Sequence, residues 1–321
     1  MNTEQLIATL RPLAVRPTEQ SLRSAVAAAQ NSSETGQQAV CGAMIWTAFA
    51  APAATAAVYD VLTSAWLGTE HASPGSGDGL DAPEAPLTHS FWREFANAVA
   101  DAEQGYDAAS ITARVAALGG AVDARFHELA EQAARQHPGV TDAAQREIPP
   151  LLKLTDLARC PEGSLAADLY HMLVNNGYDA EVLDREAIGL ANLPPALGYT
   201  NTRILQMHDI WHLVAGYQTT SLHEIAISAF QLAQFGHNYS AMFLATVATI
   251  SQSRAATGFS LLLQNICEAW LHGRNTPSFM DIPWEKEWRQ PVSELRARHG
   301  IEPFKGSFPA DLLEQLKAAA A

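Results

Sequence analysis

The segment QQAVCGAMIWTAFAAPAATAAVY, residues 37–59, runs for 23 positions without one charged side chain. Only a membrane or the interior of a folded protein accommodates such a stretch as helix. Its length is close to that of a membrane span, yet Ala and Gly supply much of it and Pro52 stands near its middle. Proline removes a backbone donor and breaks a helix interior. The segment therefore reads as two buried helices that meet at Pro52. The same preference runs along the chain: alanine is abundant and β-branched alternation is hard to find, so summed propensity predicts an all-α fold. With 321 residues and 48% hydrophobic content, the chain has ample material for a core.

Periodicity and punctuation divide the chain unevenly. Residues 4–31 read as helix interrupted at LRPLAVRP, and 38–66 hold the apolar pair. The stretch 68–90, rich in Gly, Pro, Ser and acids, is the strongest loop signal. From Phe91 to about Gln136 the pattern is helical again, hinged at Gly119 and Gly120. Residues 1–145 thus form a helical N-terminal region of unassigned role, and 146–321 form a second region whose Tyr, His and Asn fall inside apolar periodic segments. Chemistry is expected in that second region. Residues 240–273 read as helical core, with a hydrophobic slot for an isoprenoid or acyl tail as the alternative.

Charge and cysteine narrow the function. The formal net charge is −14, from 20 Lys and Arg against 34 Asp and Glu, which repels a phosphate backbone, so no nucleic acid is expected as partner. Cys41, Cys160 and Cys267 are far apart and in no CxxC spacing, which fits a reducing compartment rather than a disulfide framework or a thiolate zinc site. No signal peptide is legible at the N-terminus, and a cytoplasmic location is expected. Neither a phosphate-binding glycine loop nor a GxSxG nucleophile turn occurs.

The stretch RILQMHDIWHLVAGYQTTSLHEIA, residues 203–226, carries the densest polar chemistry. His208 and His212 are four apart, so on a helix they stack on one face at a spacing that lets two imidazoles reach one metal ion. Asp209 is rotated by roughly 100° from His208; it can reach in as a ligand or orient a histidine. Gly216 marks a helix C-terminus and Ser221 the start of the next helix. Glu224 has two readings. In Ser221-Leu222-His223-Glu224 it completes a capping box, and brought back beside the first helix it becomes a metal ligand. His171 and His223 read as structural, and His237 as a C-terminal cap or loop residue.

His208, Asp209 and His212, followed by eleven residues and then Glu224, make the pattern HDxxH-x11-E. Together with CPEGSLAADLYHMLVNNGYDAE (160–181) and WLHGRNTPSFMDIPWEKEWRQPVSELRARHGIEP (270–303), it resembles the Coq4 family of ubiquinone biosynthesis proteins over about residues 148–303. The resemblance implies an all-α helical domain that binds a divalent metal, zinc or else iron, through His208, Asp209, His212 and Glu224. It implies removal of the C1 carboxylate from a polyprenylated hydroxybenzoate-type intermediate, coupled in one variant to hydroxylation. Glu224 and Asp209 then count as catalytic, Glu224 delivering the proton that replaces CO2 if it is not a ligand. The implied partners are a polyprenylated quinone precursor or other isoprenoid lipid, other ubiquinone biosynthesis proteins and the inner face of a membrane, to which the protein is peripheral. A homo-oligomer is also expected. The alternative is a non-catalytic lipid-binding scaffold within the same assembly.

Overall fold

Local signals in the chain set most helix ends. The computed structural model describes residues 3–69, 77–100, 114–115, 117–140, 142–178, 190–254 and 256–320, and among them there is no strand. Helix α1 spans Thr3–Leu10 and α2 spans Glu19–Gln30. The break between them falls at the prolines, and Thr18 opens α2 with a reciprocal box in which Thr18 and Ser21 each accept the other's amide.

The charge-free segment forms α3 (Glu34–Phe49), a short 3-10 turn at Pro52–Ala54 and α4 (Thr55–Leu67), so the pair does break at Pro52. Every residue of α3 from Val40 to Phe49 is buried. Among the described residues no helix is long and apolar enough to cross a membrane. Helix α5 (His89–Ala100) brings Phe91 and Phe95 against Phe49, with ring centroids 4.9 and 5.7 Å away. Residues 70–76 of the loop lie outside the described residues. Its later part is tied down: Arg16 pairs with Asp81, Trp46 donates to Glu84, and the Ala85 amide donates to Ala50 O at 2.9 Å.

After the hinge, where a helix ends at Gly119, Asp123 accepts the Arg125 amide and starts α6 (Ala124–Gln136). The second region contains α7 (Leu165–Asn176), α8 (Pro195–Ala215), α9 (Ser221–Phe235), α10 (Asn238–Arg254), α11 (Ala256–Asn275), α12 (Val292–His299) and α13 (Leu312–Ala320). Helix α3 lies on α10, α4 on α11, and one hydrophobic core runs from Leu6 to Phe304. Residues 240–273 are in large part this core, with Leu244, Ile250, Phe259, Leu263 and Trp270 buried. A polar clasp also joins the regions: nearly buried Asp60 on α4 accepts Trp270 Nε1 at 2.9 Å and Arg274 Nη2 at 2.6 Å.

Helix α8 is held at both ends. Pro195 occupies its first turn, and the nearly buried Glu131 carboxylate of α6 accepts the Ala196 and Leu197 amides at 3.1 and 3.0 Å. That satisfies two orphan donors and places negative charge at the positive end of the dipole. At the other end Gly216 turns left-handed, φ +81°, where a Cβ would sit 2.8 Å from Pro303. Arg296 donates to Leu213 O and Val214 O, and the Phe304 amide donates to Ala215 O at 2.8 Å. Helix α9 then lies so close to α11 that a Cβ on Gly273 would be 2.7 Å from Ala233 Cβ.

Candidate metal centre

Because α8 stops at Gly216 and α9 starts at Ser221, the chain reverses within a short turn and sets Glu224 opposite the last turns of α8. His223 braces this reversal, its Nδ1 accepting the Gln218 amide at 2.8 Å. His208 Nε2 and His212 Nε2 are 3.0 Å apart, and Glu224 approaches both, with Oε2 at 3.5 Å from His208 and Oε1 at 3.4 Å from His212. One ligand atom from each lies within 4.8 Å of the others, a set of donors that can close on one ion. His212 is 1% exposed, His208 31% and Glu224 36%, so the cluster has a buried wall and one side open to solvent.

The surroundings set the protons. His212 Nδ1 is 3.2 Å from the Tyr217 carbonyl, which can only accept, so Nδ1 carries the proton and Nε2 keeps its lone pair facing the cluster. His208 Nδ1 is 2.6 Å from the Gln231 amide nitrogen. In that orientation Nδ1 accepts and the His208 proton sits on Nε2, toward Glu224. A half-turn of the Gln231 amide presents its oxygen to Nδ1–H and frees Nε2 for a metal.

Burial opposes ionisation of Glu224, but the hydrogen bonds and charges of His208 and His212 outweigh it and hold its pKa far below the carboxylate range. For His208 burial favours the neutral form, and Glu224 together with the charge of Asp209 reverses that and raises the pKa. His237 is driven the other way, down to about 3, by burial and by the charge of His208. It sits between α9 and α10 as a loop residue, its Nδ1 bonded to Ser240 Oγ and its Nε2 to Asn201 Oδ1.

Asp209 lies half-buried beside the cluster, and the convergent ligand atoms come from His208, His212 and Glu224. Its charge still acts on His208, whose pKa it helps to raise. His171 is exposed on α7 and pairs with Glu162, away from this group. The capping-box reading of Glu224 fails by one residue: the N-cap is Thr220, so Glu224 is the fourth helical residue rather than the third. The Ser221 amide is taken by Glu314 of α13 at 2.9 Å. Gln231 was legible in principle, since it stands seven positions after Glu224 on the same helical face. Tyr217 and Glu314 had no such signal.

The fold and site define an all-helical protein with two histidines and a carboxylate gathered where two consecutive helices meet, at one open edge. The chain belongs to the Coq4 family, described as coenzyme Q (ubiquinone) biosynthesis protein Coq4, whose model it matches over residues 126–305. It is 29% identical over 152 residues to the rat (Rattus norvegicus) ubiquinone biosynthesis protein COQ4 homolog, mitochondrial, covering 47% of this chain and 56% of that one. It is 32% identical over 110 residues to the Drosophila ananassae homolog, covering 33% and 40%. The chain thus spans about half the length of the curated relatives it matches. Among solved structures it is similar to a Nostoc punctiforme chain described as a "Putative ubiquinone biosynthesis protein", with a TM-score of 0.50 and 27% identity over 66% of this chain and 96% of that one.

Proposed function

We propose that the protein takes part in ubiquinone biosynthesis as a metal-dependent C1 decarboxylase acting on a polyprenylated hydroxybenzoate-type intermediate. The observation that carries this reading is the convergence of His208, His212 and Glu224, with Glu224 ionised and free of any capping duty. Two imidazoles and one carboxylate are the donor set of catalytic zinc sites and of non-haem iron sites, and a three-residue set leaves room for a substrate oxygen. A bound divalent metal would supply a Lewis acid for the substrate carboxylate or phenolate.

The chain's own groups supply the rest. Tyr217 and Gln231 fix the imidazoles, and the open edge at His208 and Glu224 admits the ring. When the C1–carboxylate bond breaks, its electron pair stays on C1 and CO2 departs. The histidines hold Glu224 ionised, so the proton that takes its place comes from water at the open edge, which leaves as hydroxide. We assign the prenyl tail and the other ubiquinone biosynthesis proteins to a membrane surface on which the chain sits peripherally.

Elemental analysis of the purified protein tests the site. Near-stoichiometric zinc or iron is expected, lost in His208→Ala and in Glu224→Gln, together with metal-dependent CO2 release from a prenylated 4-hydroxybenzoate. Iron would open the hydroxylating variant, with dioxygen as co-substrate. A metal-loaded protein that releases no CO2 sinks the decarboxylase reading, and a metal-free protein that still supports ubiquinone synthesis favours a lipid-presenting scaffold.

A further inference from the structure

Helix α9 begins with an amide that needs an acceptor, and two carboxylates are within range of its first turn. Glu224 is one turn further along the same helix, and helical side chains lean back toward the N-terminus. Glu314 reaches in from α13, and its Oε1 accepts the Ser221 amide at 2.9 Å. Neighbouring bonds hold it there. Thr220 Oγ1 donates to Ala310 O at 2.7 Å, and the Ser307 amide donates to Glu268 Oε2 at 2.9 Å, so residues 307–314 form a strap from α11 to the start of α9. The strap lies beyond residue 305, where the match to the Coq4 family model stops.

We infer that Glu314 is a positioning residue for the candidate metal centre: by occupying the Ser221 amide it removes a local partner that competes with His208 and His212 for Glu224. The inference rests on the metal-site reading above and deepens it. The N-terminal end of α9 carries partial positive charge, and it attracts whichever carboxylate is nearest. With Glu314 in place, Glu224 keeps both oxygens for the histidines, 3.4 and 3.5 Å away. Without it, Glu224 divides its time between the amide and the cluster, and the donor set is complete for only part of the time.

Zinc affinity of the full-length protein, measured by competition with a chelating dye, reads this directly. Glu314→Ala is expected to weaken zinc binding about tenfold, and Glu314→Gln, which keeps an acceptor oxygen, to stay within about twofold of the parent. The decisive variant is Ser221→Pro combined with Glu314→Ala. Proline is favoured at the first helical position and has no amide hydrogen, so the competition disappears and affinity returns to within about twofold. A strap that only braces the fold gives no such rescue. Unchanged affinity in Glu314→Ala, or a double variant as weak as the single, overturns the inference.

If the parent protein binds no zinc or iron, the metal-site reading fails, and the competition is read in the metal-free protein instead. There, urea unfolding of Glu314→Ala, Glu224→Ala and the double variant should show a double loss larger than the sum of the single losses, because Glu224 no longer stands in as the cap. Additive losses overturn the inference.

Discussion

Helices α3 and α8 are both buried along most of their length, yet they reach that state by opposite means. From Val40 to Phe49, α3 carries no charge and is mostly apolar or small, with side-chain hydrogen bonds joining Trp46 to Glu84 and Thr47 to Ala51 O and Thr55, so packing dominates its burial. Helix α8 buries Arg203, Gln206 and His212 among Ile204, Met207 and Trp211. These three have partners: Arg203 pairs with Glu285, Gln206 Nε2 donates to Pro150 O at 3.0 Å, and His212 meets Tyr217 O and His208, whereas Thr200 Oγ1 and Trp211 Nε1 on the same helix are buried without one among the described residues. Packing tolerates approximate partners, whereas a buried polar group left unpaired costs its full desolvation. The lesson is that α3 contributes stability and α8 contributes specificity of arrangement, and substitutions should separate the two.

The largest expected effect falls on the apolar side. Phe49→Ala removes a fully buried ring that touches Phe91 and Phe95, and should cost about 3–5 kcal/mol in urea unfolding while leaving metal stoichiometry at the parent value. Equal loss of metal and stability would show that α3 and the site are one cooperative unit rather than two.

A smaller effect belongs to the polar side and appears with pH. His237 has its folded pKa depressed to about 3 from 6.5, so below pH 6.5 the unfolded chain binds a proton that the folded chain refuses. Its contribution to stability is therefore lost as pH falls, amounting to about 2 kcal/mol at pH 5. His208 acts with the opposite sign: its raised folded pKa gives stability present below 6.5 and lost as pH rises through the folded value. His237→Asn should flatten the fall in melting temperature between pH 6.5 and 5, whatever it does to stability at pH 8. A slope unchanged from the parent would remove His237 as its source and leave His137, His223 and His272, whose pKa values are also lowered by burial.

The smallest effect on stability, and the most local, is at Gln231. Gln231→Ala should weaken zinc binding roughly tenfold because it releases the His208 ring, and, since Gln231 is buried, should also cost about 1 kcal/mol in unfolding. Titration calorimetry against the parent checks it, and an unchanged affinity would mean that the His208 ring is held by α8 alone.

Legibility in the sequence divides along the same contrast. The helix pair broken at Pro52, the interruption at the prolines before α2 and the stop at Gly216 were readable because each depends on residues within one turn of the feature. The histidine pair was readable for the same reason, since a spacing of four is a property of one helix. Glu224 was ambiguous, because its two possible partners differ in where they come from. Its capping role needs only Ser221, and its site role needs α8 folded back beside α9.

The amino-acid sequence by itself therefore determined the helical class, the breaks along the chain, and the donors His208 and His212 on one face, all consequences of local propensity and period. Only the tertiary structure decided that Glu131 caps α8, that Asp60 on α4 meets Arg274 on α11, and that Glu314 rather than Glu224 serves the Ser221 amide. Those pairings join residues 65, 214 and 93 positions apart. Hydrogen bonds act over about 3 Å, so which distant carboxylate meets a given donor is set by how the helices pack and not by any spacing along the chain.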